Sequence, residues 1–271
     1  ARRCVRRVRG VRRCAAMPLR PTDLLAGFIR AGIAFMLAGA VVAVSTALGR
    51  WLDDRPQAQG KVHVIPNGVD PARFPAPRRV AGERPFTVVF VGSLKPWHGL
   101  ETLVDAFALL SQAVPEARLL VVGDGPGRAG LEQRLHRAGV AHAATCTGAV
   151  PPALVGGLLG QADAAVAPYP PTAEDYFSPL KVFEGMAAGL PVVASRVGQL
   201  AELVRDGATG ILVPPGDARA MARALTELAA DPARRARIGD AARDWVLREH
   251  TWDHVIGRVL GLARTPAAAA A

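Results

Sequence analysis

From residue 85 onward, short apolar runs alternate with longer stretches in which apolar positions recur every three or four residues. The runs at 87–91, 118–122, 144–147, 164–167, 192–194 and 211–213 have the length and β-branched character of buried strands. The stretches at 100–110, 129–138, 152–161, 179–188 and 200–205 carry a helical period. Strands that alternate with helices pair in parallel through right-handed crossovers, with helices on both faces. The pattern predicts an α/β fold, a doubly wound parallel six-stranded Rossmann-like sheet. Such sheets bind ligands beyond the carboxyl ends of their strands, where the strand order reverses. The loops that follow each strand are therefore where chemistry is expected.

Ahead of this body, residues 31–48 are apolar over about the minimum length that spans a membrane, with Arg30 and Arg50 as flanks. A membrane-anchored basic protein is one reading. The other divides the stretch into a helix end, a strand at 40–44 buried on both faces, and a helix from Ser45, its N-cap, through Trp51. The run AVVAV favours the strand. A signal peptide fits poorly, because Arg20, Asp23 and Arg30 separate the basic run from the apolar one.

Composition adds limits. The 271 residues are 50% apolar and 21% charged, enough for a sizeable core and against wholesale disorder. The net charge is +10, but residues 1–20 hold eight arginines and no acid, leaving +2 for the rest. The basicity belongs to a tail, so nucleic acid is not expected as a partner. Residues 1–30 read as a disordered basic arm, with peripheral contact to an anionic membrane as its functional alternative. A first residue of Ala1 leads to the expectation of a fragment, a processed chain or an imperfect gene model. Cys4, Cys14 and Cys146 are odd in number and contain no CxxC pair, which argues against a disulfide framework or zinc cluster and for the cytoplasm.

GPGRAG at 125–130 matches the spelling of a dinucleotide fingerprint. It starts two residues late, after the turn GDGP, and residues 140–160 contain no acid to hold a ribose. A nicotinamide site is rejected, and no Walker sequence exists. The segment YFSPLKVFEGMAAGLP at 176–191 is more informative. Ser178 is placed as an N-cap, Pro179 as the first helical residue, and Phe177 with Val182 as a hydrophobic staple. Gly189 and Pro191 end the helix. The free amides of Leu180 and Lys181 would then form an anion site with the helix dipole, and Lys181 would add a full charge. Glu184, further along, is suited to accept from vicinal hydroxyls. The plain alternative is a well-capped helix with Glu184 in a structural bridge.

Other candidates read as structural. His250 and His254 stand at i, i+4 but have neither the zincin glutamate nor a third ligand, so they belong to a helix surface and no metal is expected. His63, Asp163 and Tyr169 are assigned to packing. Asn67-Gly68 has the spelling of a hairpin turn. The arginine-rich stretch 231–258 reads as solvated helix faces.

Taken together, VIPNGVD (64–70), VGSL (91–94) with His98-Gly99, VGDGP (122–126), Thr147-Gly148 and FEGMAAGLPVVA (183–194) resemble the C-terminal, donor-binding half of family 4 glycosyltransferases of GT-B fold. The resemblance runs from about residue 39 to 260. It implies retaining transfer of a sugar from a nucleotide-diphosphate donor, UDP- or GDP-linked, with no metal and no cofactor. The acceptor is left open: a glycan, a lipid-linked sugar or a small molecule. It further implies that the helix amides after Ser178 and Pro179 hold the diphosphate and that Glu184 holds the ribose. Gly148, Ala149 and Val150 would lie along the base, with Gly123, Gly125 and Pro126 as the neighbouring wall.

Three departures accompany it. After Gly92 the family has an arginine, and just before the next glycine a lysine; here they are Ser93 and His98, with Lys95 and Lys181 as possible compensation. The family's first acid, eight residues before Glu184, is Tyr176, with Glu174 or Asp175 nearby. Residues 31–66 suffice only for a truncated remnant of the N-terminal domain, ahead of a nucleotide-sugar domain at 67–248 and a helix with an alanine tail at 249–271. The expectation is donor binding without turnover. The alternatives are a non-catalytic binding or scaffolding module and a nucleotide-sugar epimerase of similar fold.

Overall fold

The computed structural model describes residues 39–75, 84–171 and 178–264. The basic arm and residues 31–38 lie outside these. Strands β1 (Val41–Ala43) and β2 (Val62–Val64) form a small parallel pair joined through α1 (Thr46–Asp53). Ser45 caps α1, its Oγ accepting from the Leu48 amide at 3.2 Å. Val41 and Ala43 are buried, but Val42 is 40% exposed, so β1 is covered on one face and not on two. A two-stranded pair with one crossover helix covers a single face. His63, read as structural, projects to solvent from β2. Over its described part the apolar stretch 31–48 is thus strand then helix, and among the described residues no helix is long and apolar enough to cross a membrane.

The apolar runs beyond residue 85 become β3 (Thr87–Val91), β4 (Arg118–Val122), β5 (Ala144–Cys146), β6 (Ala164–Ala167), β7 (Val192–Ser195) and β8 (Gly210–Val213). They make one sheet in the order β5-β4-β3-β6-β7-β8, every pair parallel. Between them run α2 (Leu100–Ala113), α3 (Arg128–Arg137), α4 (Pro152–Leu159), α5 (Leu180–Ala187), α6 (Gly198–Leu203) and α7 (Ala218–Ala230). Helices α8 (Pro232–Glu249) and α9 (Trp252–Arg264) follow.

The period-2 alternation of β3 shows how both faces are used. Val88 and Phe90 enter a core with Phe107 of α2, Leu131 of α3 and Leu225 of α7. Val89 enters the opposite core with Leu159 of α4, Met186 of α5, Leu200 of α6 and Val246 of α8. Each large side chain buried this way contributes about 1.5–3 kcal/mol.

Carboxylates fix two helix starts: Asp217 Oδ1 accepts from the Ala220 amide and Asp231 Oδ1 from the Arg234 amide, both at 2.8 Å. Asp217→Ala is therefore expected to cost about 1 kcal/mol, read as a lower urea midpoint with unchanged slope. The arginines of α8 are only partly a solvated face. Arg243 reaches inward, donating to the carbonyls of Phe74, at 2.9 Å, and Ala187. His250 is also inside, its ring between those of Phe183 and Trp245, because the chain turns there from α8 into α9.

Candidate functional site

The strand order reverses between β3 and β6, and the loops beyond these two strands are where a ligand is expected in such a sheet. Backbone bonds lace the neighbouring loops. The Gly92 amide donates to Val122, Leu94 to Asp124, Gly127 to Leu94, and Gly123 to Gly148, at 2.7–3.0 Å. Close approach makes this possible: at Gly123, φ +140°, a β-carbon would stand 2.0 Å from the Gly92 carbonyl oxygen. Gly92, Gly123 and Gly148 therefore meet at one end of the sheet. Gly125 takes the Asp124 carboxylate on its amide, and Pro126 is exposed beside it. Ala149 is exposed, while Val150 packs against the core.

After Gly92 the chain makes a short turn at Pro96–His98. The His98 ring leans edge-on to Tyr169 at 5.5 Å and lies near Phe90 at 6.2 Å. Its Nδ1 bonds the Ser93 carbonyl, which assigns the proton to that nitrogen. Burial, together with the charge of Lys181, lowers this imidazole to about pKa 4. His98 is therefore neutral at physiological pH and brings no cation to the place where the resemblance puts one. Lys95 is turned outward, its amine 4.8 Å above the half-exposed Trp97 ring.

The cation comes from α5. Lys181 Nζ is buried and, among the described residues, has no hydrogen-bond partner. It rests over the rings of Phe90, at 4.5 Å, and Tyr169, at 5.0 Å. Gly92 leaves room for it: a β-carbon there would stand 3.1 Å from the amine. Burial lowers Lys181 to about pKa 7. The first turn of α5 also has open donors, since among the described residues the amides of Leu180 and Lys181 make no hydrogen bond.

The cap differs from expectation. Pro179, at ψ 85°, is not helical, so it occupies the cap position itself and the helix starts at Leu180 with no side-chain cap. Ser178 Oγ accepts instead from the amide of Asn67, at 3.2 Å. Asn67-Gly68 is no hairpin turn either; Val69 runs parallel to Thr251, and the lack of a side chain at Gly68 lets the Thr251 backbone pass close by. Phe177, Tyr176, Glu174 and Asp175 lie outside the described residues.

Glu184 stands one turn beyond Lys181 on the same side of α5. Its side chain is 17% exposed, and Arg73 Nη2 lies 3.5 Å from Oε1. Burial raises its pKa and Arg73 partly opposes that. The arrangement offers open amides and an amine for an anion, with a carboxylate one turn away for hydroxyls.

Phe90, Tyr169 and Arg73 were missed as site residues. An aromatic just past β6, where the order reverses, was the available signal for Tyr169; nothing local marks Arg73. Asp163 is structural as expected, accepting from the Thr87 amide at 2.9 Å and pairing with Arg84.

Comparison with known proteins identifies the family and the fold. Residues 85–231 match the family model described as glycosyl transferases group 1. A GDP-mannose-dependent alpha-(1-6)-phosphatidylinositol monomannoside mannosyltransferase of Mycobacterium tuberculosis is 34% identical over 212 residues, 74% of this chain and 55% of that protein. A D-inositol 3-phosphate glycosyltransferase of Salinispora tropica is 34% identical over 239 residues, 81% of this chain and 49% of its own length. The chain thus spans about half the length of the curated relatives it matches. Among solved structures, Anabaena HepE in complex with UDP and glucose superposes with a TM-score of 0.74 at 23% identity, covering 91% of this chain and 69% of that one, a likeness of fold.

Proposed function

The chain belongs to the group 1 glycosyl transferases, and from that premise we propose that it is the donor-binding half of an enzyme that moves a sugar from a nucleoside diphosphate to an acceptor hydroxyl with retention. The observation that carries the reading is the buried, unpartnered Lys181 amine beside the open first turn of α5, at the point where the strand order reverses. As the bond from the anomeric carbon to the diphosphate breaks, negative charge builds on the leaving oxygens. Fixed amides and an ammonium group stabilise that charge in place, and no metal is needed for it.

In this reading the diphosphate lies against Leu180 and Lys181, beside Gly92, Ser93 and His98, the last as a neutral ring. Glu184 accepts from the ribose hydroxyls. Gly148, Ala149 and Val150 run along the base, with Gly123, Gly125 and Pro126 as the next wall. The donor is UDP- or GDP-linked, in keeping with the GDP-mannose and UDP named for the relatives. The acceptor is a hydroxyl on a glycan, a lipid-linked sugar or a small molecule.

Calorimetry with UDP, GDP, ADP and the matching monophosphates tests this. One diphosphate is expected to bind, its monophosphate at least about tenfold weaker through loss of a charge-assisted contact, and EDTA is expected to change neither. No measurable affinity for any diphosphate overturns the reading.

A further inference from the structure

We propose that Arg73 is the positioning residue for Glu184: its guanidinium pairs with Oε1 and orients the carboxylate toward a hydroxyl of the bound nucleotide's sugar. This rests on the nucleotide reading above and adds to it a residue from outside the sheet, whose contribution to recognition is separately measurable.

Arg73 ends the short turn Pro71–Arg73, whose start is fixed by Asp70 Oδ1 accepting from the Ala72 amide at 3.0 Å. Phe74 next to it is buried, and its carbonyl is held by Arg243. The Arg73 carbonyl is seated on α4, since a β-carbon at Gly156 would stand 1.9 Å from it. The guanidinium is fixed as well. Nη2 donates to the Pro152 carbonyl at 2.7 Å, Cζ lies 5.4 Å from the Phe74 ring centre, and the carboxylate of Glu184 is 3.5 Å away. Backbone, ring and carbonyl thus hold this arginine whether or not Glu184 is paired, so it sets the position of the acid rather than following it.

The other charged or titratable groups near α5 have their own engagements. Lys181 lies one turn back over its two rings. Arg243 of α8 is bound to carbonyls, and His250 packs on Phe183. Among the described residues, Arg73 is the charge that opposes the burial of Glu184. The ion pair from Arg73 is to Oε1, at 3.5 Å. The Glu184 side chain keeps 17% of its surface open, the part available to a ligand hydroxyl.

The test measures UDP and GDP affinity of the full chain between about pH 6 and pH 8.5, for wild type and for Arg73→Gln, Arg73→Lys, Glu184→Gln and the Arg73→Gln/Glu184→Gln pair. Without the guanidinium, Glu184 takes up a proton at higher pH, so affinity falls as the medium is acidified. Arg73→Gln is expected to weaken the better nucleotide about tenfold, with the larger loss at the acidic end of the range. Arg73→Lys restores most of the wild-type profile. Added to Glu184→Gln, the Arg73 change has little further effect. A loss of the same size at every pH, or one that adds fully to that of Glu184→Gln, overturns the proposal while leaving nucleotide binding intact. Wild-type affinity in Glu184→Gln overturns the ribose role on which it rests.

Discussion

Lys181→Met is expected to raise the thermal midpoint of the protein and, at the same time, to weaken nucleoside diphosphate binding by roughly ten- to a hundredfold. Both effects follow from one amine. Buried over Phe90 and Tyr169 with no hydrogen-bond acceptor, its charged form is disfavoured, and its pKa falls from 10.5 to about 7. The unfolded chain keeps this proton up to the higher value. Between about pH 7 and 10.5 the unfolded state therefore binds more protons, and on this group's account stability rises with pH across that window. Below about pH 7 the full cost is present. Methionine has nearly the same shape and no charge, so the cost and its pH dependence both disappear. For the ligand the sign is opposite. A diphosphate needs the charged amine, so affinity falls as pH rises above about 7, and binding at pH 8 takes up a proton. Thermal melts at pH 6 and 8, with calorimetry in two buffers of different ionisation enthalpy, check both halves. A variant that melts lower and binds as before would remove Lys181 from the site.

Gly99→Ala is expected to cost about 3 kcal/mol or more, a large part of the 5–15 kcal/mol typical of a domain. Gly99 caps α2 with φ +68°, a conformation that costs an L-residue about 1–2 kcal/mol. A β-carbon there would also stand 1.5 Å from the Pro168 carbonyl oxygen, so the loops after β3 and β6 must separate, at about 1–3 kcal/mol for overpacking. Separation moves the Phe90 and Tyr169 rings apart, so nucleotide affinity falls with stability. Urea unfolding measures the first effect. A loss under about 1 kcal/mol shows that the two loops do not approach as described.

Much of this architecture was legible in the sequence, for a definite reason. Strands buried on both faces read as unbroken apolar runs, and 87–91, 118–122 and 164–167 match β3, β4 and β6 end to end. The edge strand β5 stops one residue early, at Cys146. That the loop ends lie at the cleft followed from topology. What failed were features set by distant parts of the chain. The Ser178 hydroxyl looked like a cap because SPL is the spelling of one, yet an amide 111 residues away takes it. The sequence places the Lys181 charge at an anion site but does not reveal its burial, because Phe90 and Tyr169 come beneath it only through the reversal in strand order. Arg73 gave no local sign, because its partner acid lies on α5, far along the chain. His250 looked exposed, since the turn that folds it against Phe183 leaves no periodic trace.

The bond from Asn67 to Ser178 and the pairing of Val69 with Thr251 tie a connector to two places at once. The consequence is mechanical. A tug on the chain just ahead of Asn67 is not absorbed as slack; it reaches the lip of the cleft and the root of α9 together.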